Sequence, residues 1–357
     1  MKSLKIFLLF ILFTLVVSCE KESSKESGCE VNGLWLGTWY SPENASGTFF
    51  APVTQDNTTV TGDVYIRFDL PSLENSGVDF TGNLVNKKFK SIIDISGVDI
   101  SVSGVVANDS AISGNFNVTT GMSGVFDGLK IATSTPVTNE IYSSTSRLTS
   151  IVYIDQKLWV WTDNYIYDES SDNFNKYVVK RLNLNGILTD SVYMPFRGGH
   201  IGSEVSFDGQ KIWVLSPPNL YTYDLLGNKL DTFSSNTYFD AEALACIDNQ
   251  IFITDEYMRV THVLEQNAEE TKTIPNKYIS IWALCKHQGN LFMGTGFYNL
   301  ILKTDKNGNI LKAYTLPSQV ISISSNGSKV WCLTEKYIHD TSRSVTTEYK
   351  IYEVQFD

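Results

Sequence analysis

Polar and aromatic residues that could do chemistry recur just ahead of regularly spaced apolar segments in the second half of the chain. A carboxylate could move protons there, and indole or phenol rings could bind a peptide or a glycan. The candidates, in order along the chain, are Arg197, His200, Glu204, Asp240, Glu242, Tyr278, Trp282 and Gln319. They can act together only if the fold gathers them.

The apolar segments belong to a repeated unit of four strand-like runs. The aromatic residues at the centre of one run per unit are Trp159, Trp213, Phe252, Phe292 and Trp331. Their spacings are 54, 39, 40 and 39 residues. Four strands in about 40 residues are typical of a β-propeller blade. In a propeller the loops that lead into the innermost strands surround a central channel, so we expect the candidate residues at its mouth.

The last unit lacks its fourth strand, because the chain ends after the run 349–356. A spare strand-like run, 137–143, precedes the first unit and could pair with that last unit. This pairing would close a ring of five blades over residues 133–357 and leave no open edge. The alternative is a sixth blade drawn from the C-terminal part of residues 90–135.

Residues 33–132 contain about eight short strand-like runs separated by turn residues, which suits a small closed barrel. The predicted fold class is therefore all-β, a small antiparallel β-barrel followed by a five-bladed β-propeller. Gly37-Thr38-Trp39 resembles the Gly-x-Trp start of lipocalin-like barrels, in which the tryptophan plugs one end. The resemblance implies a hydrophobic ligand inside the barrel. Trp35 and Trp39 could equally be ordinary core aromatics.

The stretch EALACIDNQIFITD resembles the repeat of NHL-type propellers and the Gly-Glu-Gly-Leu segment of plant-type glutaminyl cyclases. The second resemblance implies that Glu242 would transfer protons while an N-terminal glutamine cyclises. Ala241 and Ala243 replace the glycines that flank this glutamate in those enzymes. Glu242 could therefore be only a partly solvated channel carboxylate.

The first residues resemble a bacterial lipoprotein signal. Lys2 and Lys5 precede an apolar run that is too short to span a bilayer comfortably, and Val16-Val17-Ser18-Cys19 resembles a lipobox. We therefore expect a signal peptide at residues 1–18, acylation of Cys19 and a polar tether to residue 32. Glu20 and the serine-rich acidic tether favour the outer membrane and resemble surface lipoproteins of the Bacteroidota. The expected location is the cell surface.

Charge and composition narrow the possible partners. The chain has 28 basic and 39 acidic side chains, and removal of Lys2 and Lys5 with the signal peptide leaves a net charge of −13. Such a chain repels phosphate backbones, so nucleic acid is not an expected partner. The four histidines lie in different units, and no metal-binding spacing occurs. We expect no metal and no cofactor.

Several residues have a structural explanation beside a functional one. The loop 305–309 resembles a calcium site but lacks the distal acid, and turn formation explains its sequence. Cys246 and Cys285 occupy matching places in neighbouring units and could pair, although free buried thiols are the expected state. Trp161 and Trp282 lie outside the register of the repeated aromatics and are the indoles expected to be exposed.

These observations favour a monomeric lipoprotein of the cell envelope that binds a protein, peptide or glycan through the propeller face without catalysis. The alternative function is that of a propeller enzyme, such as a glutaminyl-peptide cyclotransferase or a lyase that uses channel carboxylates.

Overall fold

The computed structural model describes residues 30–43, 45–68, 76–95, 97–107, 109–168, 174–196, 205–234, 241–255, 260–276, 281–295, 299–339 and 345–357. These residues form β-strands, turns and loops, without a helix. They build a closed eight-stranded barrel and five blades of four strands each, one of which is extended by a fifth strand of two residues. The predicted fold class is confirmed.

The barrel is a continuous antiparallel sheet. Its strands are Gly33–Ser41 (β1), Ala45–Asp56 (β2), Thr59–Phe68 (β3), Ser76–Val85 (β4), Lys88–Ile95 (β5), Val98–Ala107 (β6), Ala111–Val118 (β7) and Ser123–Ile131 (β8). β1 pairs with both β2 and β8, which closes the sheet. Side chains alternate between its two faces: in β5, Phe89 and Ile93 are buried while Lys88 and Ile92 are exposed. The strands β5 to β8, which lie between residues 88 and 131, belong to the barrel, so the alternative of a sixth blade is wrong.

The propeller blades follow one another along the chain, each running from the centre of the ring outward. Blade 1 contains Leu148–Ile154 (β11), Lys157–Asp168 (β12), Phe174–Leu182 (β13) and Leu188–Phe196 (β14). Blade 2 contains Val205–Phe207 (β15), Ile212–Ser216 (β16), Asn219–Tyr223 (β17) and Lys229–Ser234 (β18). Blade 3 contains Ala241–Ile247 (β19), Gln250–Asp255 (β20), Val260–Leu264 (β21) and Glu270–Pro275 (β22). Blade 4 contains Ile281–His287 (β23), Asn290–Thr295 (β24), Leu300–Thr304 (β25) and Ile310–Thr315 (β26).

Blade 5 is assembled from both ends of the propeller sequence. Its inner three strands are Gln319–Ser325 (β27), Val330–His339 (β28) and Val345–Gln355 (β29), and its outermost strand is Val137–Ser144 (β10). β10 pairs antiparallel with β29. The innermost strands β11, β15, β19, β23 and β27 contact one another in sequence, and β27 contacts β11 again. The ring is therefore closed by strand pairing between distant parts of the chain.

The repeated aromatic residues occupy one structural position. Trp159, Trp213, Phe252, Phe292 and Trp331 each pair with the third-last or second-last residue of the neighbouring innermost strand, and all five are buried. They form the packing between blades. Trp161, expected to be exposed, is also buried. It lies two residues after Trp159 on the same strand and so shares its face, where both pack among Tyr177, Val179 and Val205.

The barrel packs against the side of blades 3 and 4. Leu34, Leu36 and Phe50 point outward from the barrel, yet they are buried in one cluster with Ile274 of blade 3 and Leu302 of blade 4. The segment Thr133–Ser134 (β9) leaves the barrel and pairs in parallel with β26. The guanidinium of Arg67, which is also buried, donates a hydrogen bond to the main-chain oxygen of Asn276, 3.3 Å away.

The hairpins between the third and fourth strands use local hydrogen bonds. The Asp305 carboxylate accepts bonds from the main-chain N–H groups of Asn307 and Asn309, and its second oxygen accepts one from the Asn309 side chain. Both carboxylate oxygens thus accept hydrogen bonds within the turn. Turn formation therefore explains the residues of this loop, which resembles a calcium site in sequence. In blade 3 the hairpin residue with positive φ is Ala268 (φ 63°), where blades 1, 2 and 4 have Gly186, Gly227 and Gly308.

The cysteines expected at matching places are offset by one residue. Cys246 pairs with Ile251, whereas Cys285 pairs with Phe292 and is equivalent to Ala245. An offset of one residue turns the two side chains to opposite faces of their strands. Both thiols are free.

Candidate functional site

The mouth of the channel is the end at which the innermost strands begin. In four blades the same irregularity occurs there, a β-bulge close to the start of the strand. The residues left between the paired positions are Thr149 in blade 1, Glu242 in blade 3, Trp282 in blade 4 and Ile321 in blade 5. All four are half-buried.

A bulge leaves one residue without a partner in the ladder and changes the direction of its side chain. Because the bulge recurs at one height in the ring, it gives Glu242 and Trp282 equivalent places on neighbouring blades. A hydroxyl, a carboxylate, an indole and a butyl group thus occupy equivalent positions around the mouth. The backbone repeats while the chemistry differs from blade to blade, as expected of a surface that recognises an asymmetric ligand.

The sequence-predicted candidates divide into two groups. Glu242, Trp282 and Gln319 lie at the starts of their innermost strands, as the repeat predicted. The other five fall outside the described residues: Arg197, His200, Glu204, Asp240 and Tyr278.

Blades 5 and 1 are taller than the other three on this face. In blade 5, Gln319 at the start of β27 pairs with Glu335, but the β28–β29 ladder continues past that point to His339 and Val345. In blade 1, the β12–β13 ladder runs on to Asp168 and Phe174. Four extra residues extend a strand by about 13 Å and six by about 20 Å. In blades 2, 3 and 4 the corresponding strands have five or six residues and end level with the mouth.

The two tall blades are neighbours, since β27 contacts β11. Their projecting strand ends, residues 163–168, 174–177, 336–339 and 345–348, form what we call the ridge. Tyr337, Ile338 and Val345 are exposed on it. The mouth therefore has a wall over blades 5 and 1 and a low shelf over blades 2 to 4.

A cluster of titratable groups lies at the foot of the ridge. Glu335 pairs with Gln319 on one side and with Tyr349 on the other, and Tyr337 donates a hydrogen bond of 3.3 Å to its carboxylate. Burial raises the pKa of Glu335, although the Tyr337 bond and the charge of Arg147 oppose the change. Burial also raises the pKa of Tyr349, with a further contribution from Glu335. A carboxylate in this setting can hold a proton closer to neutral pH than an exposed one.

Blade 3 departs from the repeat next to Glu242. The last residue of its second strand is the buried Asp255, where blades 1, 4 and 5 have buried threonines at the equivalent position. The buried His262 lies beside it, with Nε2 3.9 Å from the Asp255 carboxylate and Nδ1 2.6 Å from Glu270. An acid, an imidazole and a second acid thus form a row beneath the Glu242 side of the mouth.

The ridge, the Glu335 cluster and the row at Asp255 were not predicted from the sequence. One signal was present for the ridge, because the interval of 54 residues between the first two repeated aromatics exceeds the others by about 15. The signal for Asp255 is the change from threonine to an acid at one position of the repeat. The Glu335 cluster joins blade 5 to the segment before blade 1. These two parts of the chain meet only when the ring of blades is closed, so the cluster could not be predicted from the local sequence.

Other kinds of site are less well supported in the described ranges. Among the described residues, no group of three or more His, Cys, Asp or Glu side chains could hold a metal ion. Burial raises the pKa of the Cys246 and Cys285 thiols, so neither is a ready nucleophile. The described part of the chain also has no helix long and apolar enough to cross a membrane.

The sequence matches no known protein family and no curated protein. Among solved structures, Myxococcus xanthus glutaminyl cyclase is similar over 64% of this chain and all of that one, at 11% identity and a TM-score of 0.43. The WD40 domain of Neurospora crassa Pan2 is similar over 63% of this chain and 73% of its own, at 10% identity and 0.37. The barrel is similar to the redesigned β-barrel mFAP1 over 28% of this chain and 94% of that one, at 6% identity and 0.26. Likenesses this distant assign no activity.

Proposed function

We propose that this chain is a lipid-anchored protein of the bacterial cell envelope whose propeller binds a polypeptide segment at the channel mouth without changing it chemically. The observation that carries the proposal is the uneven mouth, with a ridge over blades 5 and 1 and the bulge residues Glu242 and Trp282 on the shelf. An extended peptide lying across the shelf would meet the ridge on one side only, so its direction would be fixed.

The charges of the mouth favour a ligand with a basic group. Among the described residues of the mouth and the ridge, the acidic ones are Asp163, Asp168, Glu242, Glu335 and Glu348, and the basic ones are Arg147, Lys176 and Lys336, so acidic side chains are in excess. The chain as a whole has a net charge of −11. Electrostatic complementarity of this kind raises the association rate and selects partners more than it raises affinity.

The test is a binding measurement on the full chain with basic, acidic and neutral peptides and with a glycan panel. Trp282→Ala should weaken binding of a basic peptide about tenfold or more, because central tryptophans are frequent hot spots. Glu242→Gln should weaken it less and should reduce its dependence on salt. The matched control is Leu226→Ala, which truncates an exposed side chain in the hairpin of blade 2 at the opposite end of the channel. Equal affinity in all variants, or binding of glycans alone, would contradict the proposal.

The anchor requires a separate experiment, since Cys19 lies outside the described residues. Acylation of Cys19 would attach the chain to the lipid bilayer of the outer membrane, with the folded domains at the cell surface. The expected result is that Cys19→Ala releases the protein from the membrane fraction, whereas Cys29→Ala, a matched change in the same tether, leaves it there. Protease added to intact cells should digest the anchored protein; protection would place it on the periplasmic side instead.

One observation favours a second candidate function, a glutaminyl-peptide cyclotransferase. Asp255 replaces a threonine and pairs with Ala241, the residue before Glu242, so two carboxyl groups lie one position apart on paired strands and could share proton transfer between an attacking amine and a leaving amide nitrogen. Release of ammonia from a peptide with N-terminal glutamine, and its loss in Glu242→Gln, would establish the enzyme. No release by the wild-type chain would leave the binding function.

A further inference from the structure

The two faces of the barrel wall differ in chemistry. The inner face encloses an apolar cavity of about 170 Å³, in which the ring of Phe49 lies against Gly37 and Gly128 of other strands. The outer face of β5 changes in character along the strand. Its exposed side chains, from the start of the strand towards its end, are Lys88, Lys90, Ile92 and Asp94. The outer face is therefore basic at one end of the barrel and acidic towards the other.

The strands on either side of β5 show the same change. At the start of β5, Lys88 pairs with Val85 of β4 and with Val105 of β6, and both valines are exposed. Near the end of β5, Asp94 pairs with Asp99 of β6. Six residues separate Lys88 from Asp94, which corresponds to about 20 Å along a strand. Salt screens exposed charges beyond about 8 Å at physiological ionic strength, so the aspartates do not cancel the field of the lysines.

Most basic side chains of the barrel lie at the end where β5 starts. Lys87 is exposed in the turn between β4 and β5, and the ammonium group of Lys130, near the end of β8, donates a hydrogen bond of 3.1 Å to the main-chain oxygen of Glu30. Asp56 and Asp109 lie in the hairpins on either side of that turn. The part between them contains no acid. We call it the basic corner, and its residues are Val85, Lys87, Lys88, Lys90 and Val105.

The chain enters the barrel at the same end, because β1 and β5 run in the same direction around an antiparallel sheet. Val31, just before β1, is held there by two hydrogen bonds. Its main-chain N–H donates one of 2.9 Å to the side chain of Gln55, and its oxygen accepts one of 2.8 Å from the indole of Trp35. Residues 1–29 are therefore attached at the end of the barrel that carries the basic corner.

We propose that the basic corner binds the surface of an anionic lipid bilayer, with its ammonium groups at the headgroup phosphates and its two valines against the apolar boundary below them. Each lysine near an anionic bilayer contributes about fivefold to the partition coefficient. Exposed valines add apolar area to the contact. The surface does not require acylation of Cys19. If Cys19 is acylated as proposed above, residues 19–29 would keep the corner within about 20 Å of the bilayer.

Sedimentation with lipid vesicles tests the proposal on residues 19–357 carrying Cys19→Ala, the whole chain expected after removal of the signal peptide, so that no acyl group contributes. Phosphatidylcholine vesicles with about one-third phosphatidylglycerol should bind this protein about tenfold or more tightly than vesicles of phosphatidylcholine alone. High salt should remove the difference. Equal binding to both vesicles, or a preference that salt does not change, would overturn the proposal. Tighter binding to soluble heparin than to the anionic vesicles would replace the bilayer with an anionic polysaccharide.

Two double variants with the same change in net charge test the location. Lys88→Glu with Lys90→Glu should weaken binding to the anionic vesicles about 20-fold or more. Lys229→Glu with Lys306→Glu, which reverses two exposed lysines of the propeller, should bind as the parent chain does. Equal losses in both variants would show that net charge alone decides and would overturn the site. If the first variant has a lowered melting temperature, Lys90→Gln alone decides the question, with an expected loss of about fivefold. None of these results depends on the acyl group, which the release of Cys19→Ala from the membrane fraction tests.

Discussion

The barrel and the propeller are both closed β-structures, but closure leaves them with different kinds of space. The barrel closes a single sheet, so its inward side chains surround an apolar cavity. The propeller closes a ring of separate sheets, and large aromatics such as Trp213 and Trp331 fill the gaps between its blades completely. Its open space is the mouth of the channel, where polar groups meet water. Closure of one sheet thus leaves apolar space inside it, whereas closure of a ring of sheets leaves a polar surface at the channel mouth.

The largest expected effect is the loss of stability when a tryptophan is removed from the propeller core, compared with the loss when one is removed from the barrel. Trp213 is fully buried, stacks on Phe233 and donates a hydrogen bond of 2.7 Å to Asp208. Trp213→Ala should lower the free energy of unfolding by about 3–5 kcal/mol. Trp39→Ala should cost less, because Trp39 already borders a cavity and its indole N–H makes no hydrogen bond to the described residues. Denaturant unfolding of both variants measures the difference; equal losses would show that the barrel is packed as tightly as the propeller.

The second prediction concerns the contact between the two regions. Leu36 and Tyr40 lie on the outer face of β1, but the propeller covers Leu36 while Tyr40 is 51% exposed. Leu36→Ala should cost about 2–5 kcal/mol because it leaves a cavity in the shared core. Tyr40→Ala, the matched control, should change stability by about 0.5 kcal/mol or less. A small effect at Leu36 would mean that the barrel and propeller are stable without this contact.

The third prediction concerns the replacement of a small side chain by a larger one, valine by phenylalanine, in each region. Val330 is fully buried in blade 5, whereas Val102 lines the barrel cavity. Val330→Phe should destabilise the protein by about 1–3 kcal/mol because the site has no room. Val102→Phe should be neutral or stabilising, because the added ring fills space that is already empty. Thermal unfolding distinguishes the two outcomes, and destabilisation of similar size at both positions would argue that the barrel has no usable cavity.

The same contrast explains how much the sequence could predict. The propeller was predictable to the level of its blades and of the aromatic position that recurs as Trp159, Trp213 and Trp331, although the places of Cys246 and Cys285 were wrong by one residue. The barrel was predictable as a count of strands, but its cavity depends on Phe49 meeting Gly37 and Gly128 from other strands. Such contacts between distant residues leave no periodic signal.

The candidate site shows a similar division. Glu242 and Trp282 could be placed at the channel mouth because loops into the innermost strands always lie there. The bulge that gives them equivalent positions is set by the strand pairing. No turn residue in the sequence marks its place, so it could not be predicted. Glu335 and Arg147 approach each other only because β10 closes the ring, which joins segments almost 200 residues apart in the chain.

The smallest expected effect is a difference in the sign of the pH dependence between the two regions. In the propeller, hydrogen bonds from Asn228 and Asn309 lower the pKa of Asp224 and Asp305 in their hairpins. In the barrel, a hydrogen bond to Asp79 on the paired strand raises the pKa of Asp63. A lowered folded-state pKa gives stability that is present above the unfolded value and lost as pH falls through the folded value. A raised pKa of a carboxyl group does the opposite, so its contribution is present at low pH and lost as pH rises.

Acidification from neutral pH should therefore weaken the propeller hairpins and slightly stabilise the barrel, because protonation removes the repulsion between Asp63 and Asp79. Asp305→Asn should reduce the loss of stability between pH 6 and about pH 3, because the charge on which the turn depends is absent at every pH. Asp63→Asn should stabilise the protein most near neutral pH, where two carboxylates otherwise face each other, and least in acid. Stability measured against pH for the two variants and the wild type tests both signs. Parallel curves for the three proteins would mean that the pKa of neither carboxyl group differs between the folded and unfolded states. The predicted electrostatic difference between barrel and propeller would then be wrong.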